Sequence, residues 1–139
     1  MSADFLDSNI FVYMADRTSS NHQRSREVVA GALTERSIIS FQVVQEVLNV
    51  LIRRFAWPVD VADIRVMLRD VLEPLWQVMP SPALYERTLD IQSRYRYAFF
   101  DSLIIASALS AGCTRLLTED MQHGQQIDGL RIENPFRSA

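Results

Sequence analysis

Ser37-Ile38-Ile39-Ser40-Phe41-Gln42-Val43-Val44-Gln45-Glu46-Val47-Leu48-Asn49-Val50-Leu51-Ile52-Arg53 changes character partway along. Residues 37–40 form a short apolar run with polar ends, as a buried strand does. From Phe41 onward the apolar positions Val43, Val44, Val47, Leu48, Val50, Leu51 and Ile52 leave a polar stripe at Gln42, Glu46, Asn49 and Arg53, at offsets of four, seven and eleven. That spacing is helical, with one face apolar. A strand that passes directly into a helix is the repeating unit of α/β proteins. The helix is expected to run from Phe41 to Phe55, where Trp57-Pro58 breaks it.

The same alternation continues in both directions. Upstream, Ala3 to Leu6 reads as a buried first strand, Ile10 to Met14 as a short helical run and Ser20 to Leu33 as a longer helix. Downstream, a helix is expected over Val59 to Leu72, with Asp60 and Asp63 in its first turn where the helix dipole favours them. A third strand, Leu75 to Met79, is followed after Pro80-Ser81-Pro82 by a helix to about Arg96. An almost wholly apolar helix then runs from Asp101 to Leu109, and strands at Leu116 to Thr118 and Leu130 to Ile132 make five. Strands separated by helices imply right-handed crossovers and a parallel sheet covered on both faces.

With 139 residues the chain is expected to be a single domain, 1–139, with no repeat, low-complexity tract or linker. It has no run of about 18 apolar residues that would span a bilayer, and its start lacks a signal core, so no membrane association and a cytoplasmic location are expected. The single cysteine, Cys113, fits a reducing compartment and reads as a small buried residue. The net charge of −3 excludes a protein that coats nucleic acid by bulk attraction. All 14 basic residues are Arg, which grips phosphate bidentately. The absence of Lys excludes phosphate loops of the Walker type and Schiff-base chemistry.

Four acidic residues fall where strands end or helices begin: Asp7 after Phe5-Leu6, Glu46 beyond Ile38-Ile39-Ser40, Asp101 before Ser102-Leu103-Ile104, and Asp120 after Leu116-Leu117-Thr118. In a parallel sheet the carboxyl ends of the strands share one edge, so these side chains are expected to converge. Gathered in one cleft they repel, and a divalent cation with oxygen ligands relieves the repulsion. The chemistry implied is metal-assisted hydrolysis of a phosphodiester. Each position also has a plainer reading. Asp7 and Asp101 suit helix caps, with Phe100 as a staple before the latter; Glu46 suits a solvated stripe; Asp120 suits a surface turn, with Glu119 competing for its role. His22 and His123 are too few and too far apart for a zinc site.

Taken together, Phe5-Leu6-Asp7-Ser8-Asn9, Ser40-Phe41-Gln42-Val43-Val44-Gln45-Glu46-Val47, Phe100-Asp101-Ser102-Leu103-Ile104-Ile105-Ala106-Ser107-Ala108 and Leu117-Thr118-Glu119-Asp120-Met121-Gln122-His123-Gly124 resemble, in order, the motifs of PIN-domain ribonucleases. The resemblance is particularly to the small VapC-type toxins of type II toxin-antitoxin systems. The ending Gly129-Leu130-Arg131-Ile132-Glu133-Asn134-Pro135-Phe136 is also similar to the end of that group. The resemblance implies a three-layer α/β/α sandwich around a five-stranded parallel sheet, and Mg2+- or Mn2+-dependent endoribonuclease activity. It implies Asp7, Glu46, Asp101 and Asp120 as catalytic and metal-holding residues, with Ser8, Asn9 and Thr118 orienting a carboxylate or a water.

RNA substrate, a cognate antitoxin protein and a homodimer are the expected partners, the last two also from apolar stretches over Val43 to Ile52 and Val66 to Leu72. Arg94-Tyr95-Arg96-Tyr97 interleaves cations with rings, so Arg94, Arg96 and Tyr97 are candidate RNA contacts; equally, the arginines suit the last turn of a helix and the tyrosines a core. A non-catalytic PIN-like RNA-binding module would lack a carboxylate, whereas all four are present here. A haloacid-dehalogenase-like phosphatase would have a second Asp where this chain has Asn9, and a Lys that it lacks.

Overall fold

A computed structural model of the protein describes residues 3–53 and 61–137. The expected end of the third helix at Phe55, its break at Trp57-Pro58, and the expectations for Val59 and Asp60 lie outside the described residues. Strand β1 (Asp4–Leu6) leads into α1 (Ser8–Ala15) and α2 (His22–Glu35), and β2 (Ile39–Ser40) passes without a break into α3 (Phe41–Arg53). Helix α4 (Val61–Val66) continues through a π-helical stretch (Met67–Leu72) into α5 (Glu73–Leu75) and then β3 (Trp76–Val78). Helices α6 (Pro82–Tyr95) and α7 (Phe99–Ser110) precede β4 (Arg115–Leu117), β5 (Gln126–Ile127) and β6 (Leu130–Glu133).

Strand β1 is central. It pairs in parallel with β4, Phe5 opposite Leu116, and β4 pairs in parallel with β6, Leu116 opposite Ile132. On its other side a parallel bridge between Phe5 and Ile38 joins it to the β2–β3 pair, with Leu6 N–H donating to Ile38 O at 3.2 Å and Ile38 N–H to Asp4 O at 2.8 Å. The spatial order is therefore β3-β2-β1-β4-β6-β5. The five expected strands are present and mutually parallel. The sixth, β5, is antiparallel to β6, and it was not anticipated. Its turn is Asp128-Gly129, with φ of 50° and 88°, the Asp-Gly pair that a two-residue hairpin with two positive φ angles favours.

Helices α1, α2, α3 and α5 pack among themselves, while α6 packs on α7 and α7 on β2 and β4. Phe5, Leu6, Ile39, Leu116 and Ile132 meet Ile10, Phe11, Val29, Val43, Val47 and Ile105 in one core. The α7 segment from Ser102 to Ala108 is buried throughout, as its apolar sequence requires. The fourteen residues of α6 are capped by Ser81, whose hydroxyl accepts from Leu84 N–H at 3.1 Å, with Pro82 in the first turn. The π-helical stretch has a local cause in Pro74, which has no N–H and crowds the preceding carbonyls. Glu73 N–H bonds to Leu68 O, five residues back, a wider turn that accommodates the ring. The helix thereby extends past the expected Leu72, and β3 starts at Trp76 rather than Leu75.

Candidate active site

The carboxyl ends of β1 and β4 lie side by side, fixed by Asp7 N–H donating to Leu117 O at 3.0 Å. Asp7 is the first residue beyond β1 and caps α1, its Oδ1 accepting from Ser8 N–H at 2.7 Å. Its other oxygen accepts from the Thr118 hydroxyl at 2.8 Å. The same hydroxyl accepts from Asp120 N–H at 3.2 Å, so Thr118 clamps the ends of both strands at once. Asn9, in the first turn of α1, donates from Nδ2 to Asp120 Oδ2 at 3.0 Å. Ser8, Asn9 and Thr118 are thus each placed against a carboxylate. Glu119 is held further along α1: the Tyr13 hydroxyl donates to its Oε1, and that bond is the leading reason the Tyr13 pKa is raised. Of the two neighbours, Asp120 is the one tied to the α1–β4 junction.

Glu46 and Asp101 arrive from α3 and α7. The N-terminal half of the α3 polar stripe is not solvated: Gln42 is 4% exposed and its Nε2 donates to Phe100 O at 3.1 Å. This bond joins the start of α3 to the start of α7, which brings Glu46 toward Asp101. Gln42 was legible only as one member of a polar stripe. Helix α7 begins at Phe99 with Ala98 as its cap residue, and no side chain caps it. Asp101 sits inside the first turn, so the reading of Asp101 as a cap does not describe it.

The four carboxylates act on one another. Burial pushes the Asp7 carboxyl up to about 6; Thr118 and Ser8 oppose this, and the fields of Asp120 and Asp101 add to it. Glu46 is pushed up to about 7, first by burial and then by Asp7, Asp101 and Asp120. Asp101 is raised by burial and by Asp120. Asp7, Glu46 and Asp101, distant in sequence, are each raised first by burial and then by the charge of others of the four. The donor set is all oxygen, the chemistry of a hard divalent cation. Glu46 Oε1 and Asn9 Oδ1 are buried without hydrogen-bond partners, acceptors that a cation and its waters suit. Among the described residues no three His, Cys, Asp or Glu side chains are arranged to hold an ion as they stand. By donor chemistry the site fits the group; closure around an ion requires the carboxylates to draw in.

The remaining candidates are placed differently. Arg94 grips Asp128 with both terminal nitrogens at 3.1 Å, meets Asp90 at 3.2 Å, and lies over the Tyr95 ring at 5.0 Å. It ties the last turn of α6 to the β5–β6 turn. The Tyr97 hydroxyl donates to Gln125 Oε1 and accepts from Gln122 N–H at 3.3 Å. Arg96 ends α6 with a φ of 66° and is exposed. His22 Nδ1 lies 3.1 Å from Tyr13 O, and His123 Nδ1 accepts from Asn134 N–H at 3.0 Å. Cys113 is buried, its thiol pushed up to about 12 by burial and by Asp4, so it is inert.

Several solved structures are similar to this chain. A toxin-antitoxin complex from Klebsiella pneumoniae is 20% identical, with a TM-score of 0.68 over 99% of this chain and 100% of that one. VapBC from Salmonella typhimurium bound to DNA is 18% identical, with a TM-score of 0.69 over 97% and 99%. The sarcin-ricin-loop-cleaving toxin VapC20 of Mycobacterium tuberculosis is 16% identical, with a TM-score of 0.61 over 82% and 87%. At these identities the likeness shows a shared fold. No curated protein matches the sequence. The PIN domain family model matches residues 5–126, a span that runs from β1 to β5 and takes in Asp7, Glu46, Asp101 and Asp120; the chain belongs to the PIN domain family.

Proposed function

We propose that this protein is a Mg2+- or Mn2+-dependent endoribonuclease, the toxin of a toxin-antitoxin pair acting in the cytoplasm. The observation that carries the reading is the electrostatic convergence of Asp7, Glu46, Asp101 and Asp120, contributed by four separate segments. Asp7, Glu46, Asp101 and Asp120 would hold the ion. When bound, it supplies positive charge that favours the ionised carboxylates, makes a water more acidic and offsets charge on the phosphodiester. Thr118 and Ser8 keep Asp7 aimed, and Asn9 keeps Asp120 aimed. Of the four, a carboxylate left free by the ion would accept a proton from the attacking water and release it afterwards.

RNA is the substrate that the surface favours. The protein is net acidic, so contacts to the chain must be few and local, and an unpaired loop that splays its bases suits such a site better than a uniform duplex. Both arginines of the Arg-Tyr segment are exposed, and Arg94 and Tyr97 are braced by Asp128 and Gln125, which leaves Arg96 as the better candidate contact. Purified protein is expected to cut a hairpin RNA in its loop with Mn2+ or Mg2+, to lose that activity in excess chelator and to spare the fully paired counterpart. Equal cleavage with and without chelator would overturn the metal assignment, and equal cleavage of both RNAs the preference for loops.

A homodimer and an antitoxin belong to the same reading. The core absorbs Val43, Val44, Val47 and Leu51, but Ile52 and Val66 remain 68% and 48% exposed. Exposed aliphatic side chains on α3 and α4 fit a surface covered by another protein. Light scattering at tens of micromolar is expected to give the mass of two chains; the mass of one would count against the dimer and leave the nuclease standing. No helix among the described residues is long and apolar enough to cross a membrane.

A further inference from the structure

A cleft of about 310 Å3 opens beside the carboxylates, lined by Ser8, Asn9, Val12, Tyr13, Val50, Glu119 and Asp120. Its volume is at the low end for a ligand pocket, room for one flat group rather than a stretch of chain. Val12, Val50 and the Tyr13 ring give it apolar wall. Its polar side carries two carboxylates, Glu119 and Asp120, and its donors are already turned to carboxylates: the Tyr13 hydroxyl to Glu119, the Asn9 amide to Asp120 and the Ser8 hydroxyl toward Asp7. The Tyr13 ring is itself fixed edge-on against Phe136, with centroids 5.2 Å apart. Glu119 is half-buried, and the Tyr13 bond holds its carboxylate at the cleft.

We propose that this cleft is a nucleobase subsite and that Glu119, positioned by Tyr13, selects guanine next to the scissile phosphate. The inference rests on the ribonuclease reading above. The neutral RNA group that offers two adjacent donors on one edge is guanine, through N1–H and the N2 amino group, and a carboxylate presents two acceptors at matching spacing. Uracil and adenine would instead direct a carbonyl or ring nitrogen at Glu119, leaving like partial charges opposed. The scissile phosphate is drawn to the ion that Asp120 would help hold, and the rest of the cleft, with Glu119 and no Arg in its lining, suits a base rather than a second phosphate.

The test uses loop RNAs identical except for the nucleotide beside the cleaved bond, which is guanosine, inosine, adenosine, cytidine or uridine. Wild-type protein with Mn2+ is expected to favour guanosine over adenosine in kcat/KM by about 10- to 100-fold, the range of a good bidentate contact, with inosine between them. Glu119→Gln keeps an oxygen for the Tyr13 hydroxyl but exchanges an acceptor for a donor. It should lose the guanosine preference and gain on adenosine, which pairs with a carboxamide. Tyr13→Phe should narrow the preference without inverting it. Competition binding of the same RNAs to the Asp101→Asn protein in excess chelator gives the order independently of catalysis. Discrimination there without cleavage by the wild type would uphold the subsite and overturn the nuclease reading. A Glu119→Gln protein that loses activity equally on all five RNAs, or that keeps the guanosine preference, overturns the subsite; so does preferential binding of an arginine-rich peptide over every RNA, lost in Glu119→Gln, which would mark the cleft as a protein contact.

Discussion

Asp101→Asn is expected to lower RNA cleavage by about 100-fold or more, since even groups that only support metal ligands contribute 10- to 100-fold. Asp7→Asn should do the same and yet make the metal-free protein more stable at pH 8. The Asp7 carboxyl is 4% exposed and pushed up to about 6, so ionising it in the fold costs about 3 kcal/mol relative to the unfolded chain, at roughly 1.4 kcal/mol per pKa unit. Asn keeps an oxygen for Ser8 N–H and offers its amide to the Thr118 hydroxyl, so the helix cap and the strand clamp survive. Weaker hydrogen bonds take back part of the gain, leaving a rise in melting midpoint of roughly 3–8 °C. Thermal melts in chelator at pH 8, beside cleavage assays in Mn2+, check both halves. A variant that melts lower and still cleaves would sink the assignment of Asp7, whereas Asp7→Ala would not separate the effects because it also removes the cap.

How far the sequence could be read depended on whether a signal was local. The strand-to-helix change at Ser40-Phe41 is local, and so are the buried run of α7 and the break at Pro80-Ser81-Pro82; each of these elements lies within a residue or two of its expected bounds. Strand β5 is only two residues long, too short for a periodic pattern, although Asp128-Gly129 carried the hairpin signal. The π-helical stretch depends on Pro74, whose effect reaches back along a helix that otherwise reads as regular. The ends of the strands were the informative places for chemistry, because topology brings them together whatever lies between.

Individual roles were less legible because they depend on packing across the sheet. Glu46, Asn49 and Arg53 occupy the same stripe of α3, yet Glu46 is half-buried and the other two are exposed. The distinction comes from Gln42 docking on Phe100, a contact 58 residues apart in sequence. Glu119 and Asp120 were indistinguishable as neighbours, and only the tertiary partners Tyr13 and Asn9 separate them. Arg94 showed the converse: a cation beside aromatic rings matched an RNA-binding pattern, while its guanidinium is held by Asp128 from the β5–β6 turn that the sequence reading had passed over.

The pH dependence of the metal-free protein follows from the same carboxylates, and its sign is opposite to that of most carboxylates in folded proteins. Asp7 is raised from 3.8 to about 6 and Glu46 from 4.5 to about 7, with Asp101 raised as well. Between the unfolded and folded values the native state binds more protons than the unfolded chain, so stability falls as pH rises. The contribution of Asp7 is fully present below pH 3.8 and is lost as pH passes about 6; that of Glu46 is present below 4.5 and lost through about 7. In chelator the melting midpoint should therefore decline from pH 5 to pH 8. Saturating Mn2+ should offset much of the decline, because an ion that binds only the native, ionised site stabilises it by about 2.7 kcal/mol at a hundredfold excess over Kd. That gain should be small at pH 5, where protons compete with the ion, and large at pH 8. Asp7→Asn should flatten the slope in chelator and shrink the Mn2+ shift together. A midpoint that rises with pH in chelator, or a Mn2+ shift equal at both pH values, would mean that the carboxylates do not share their charge in one site.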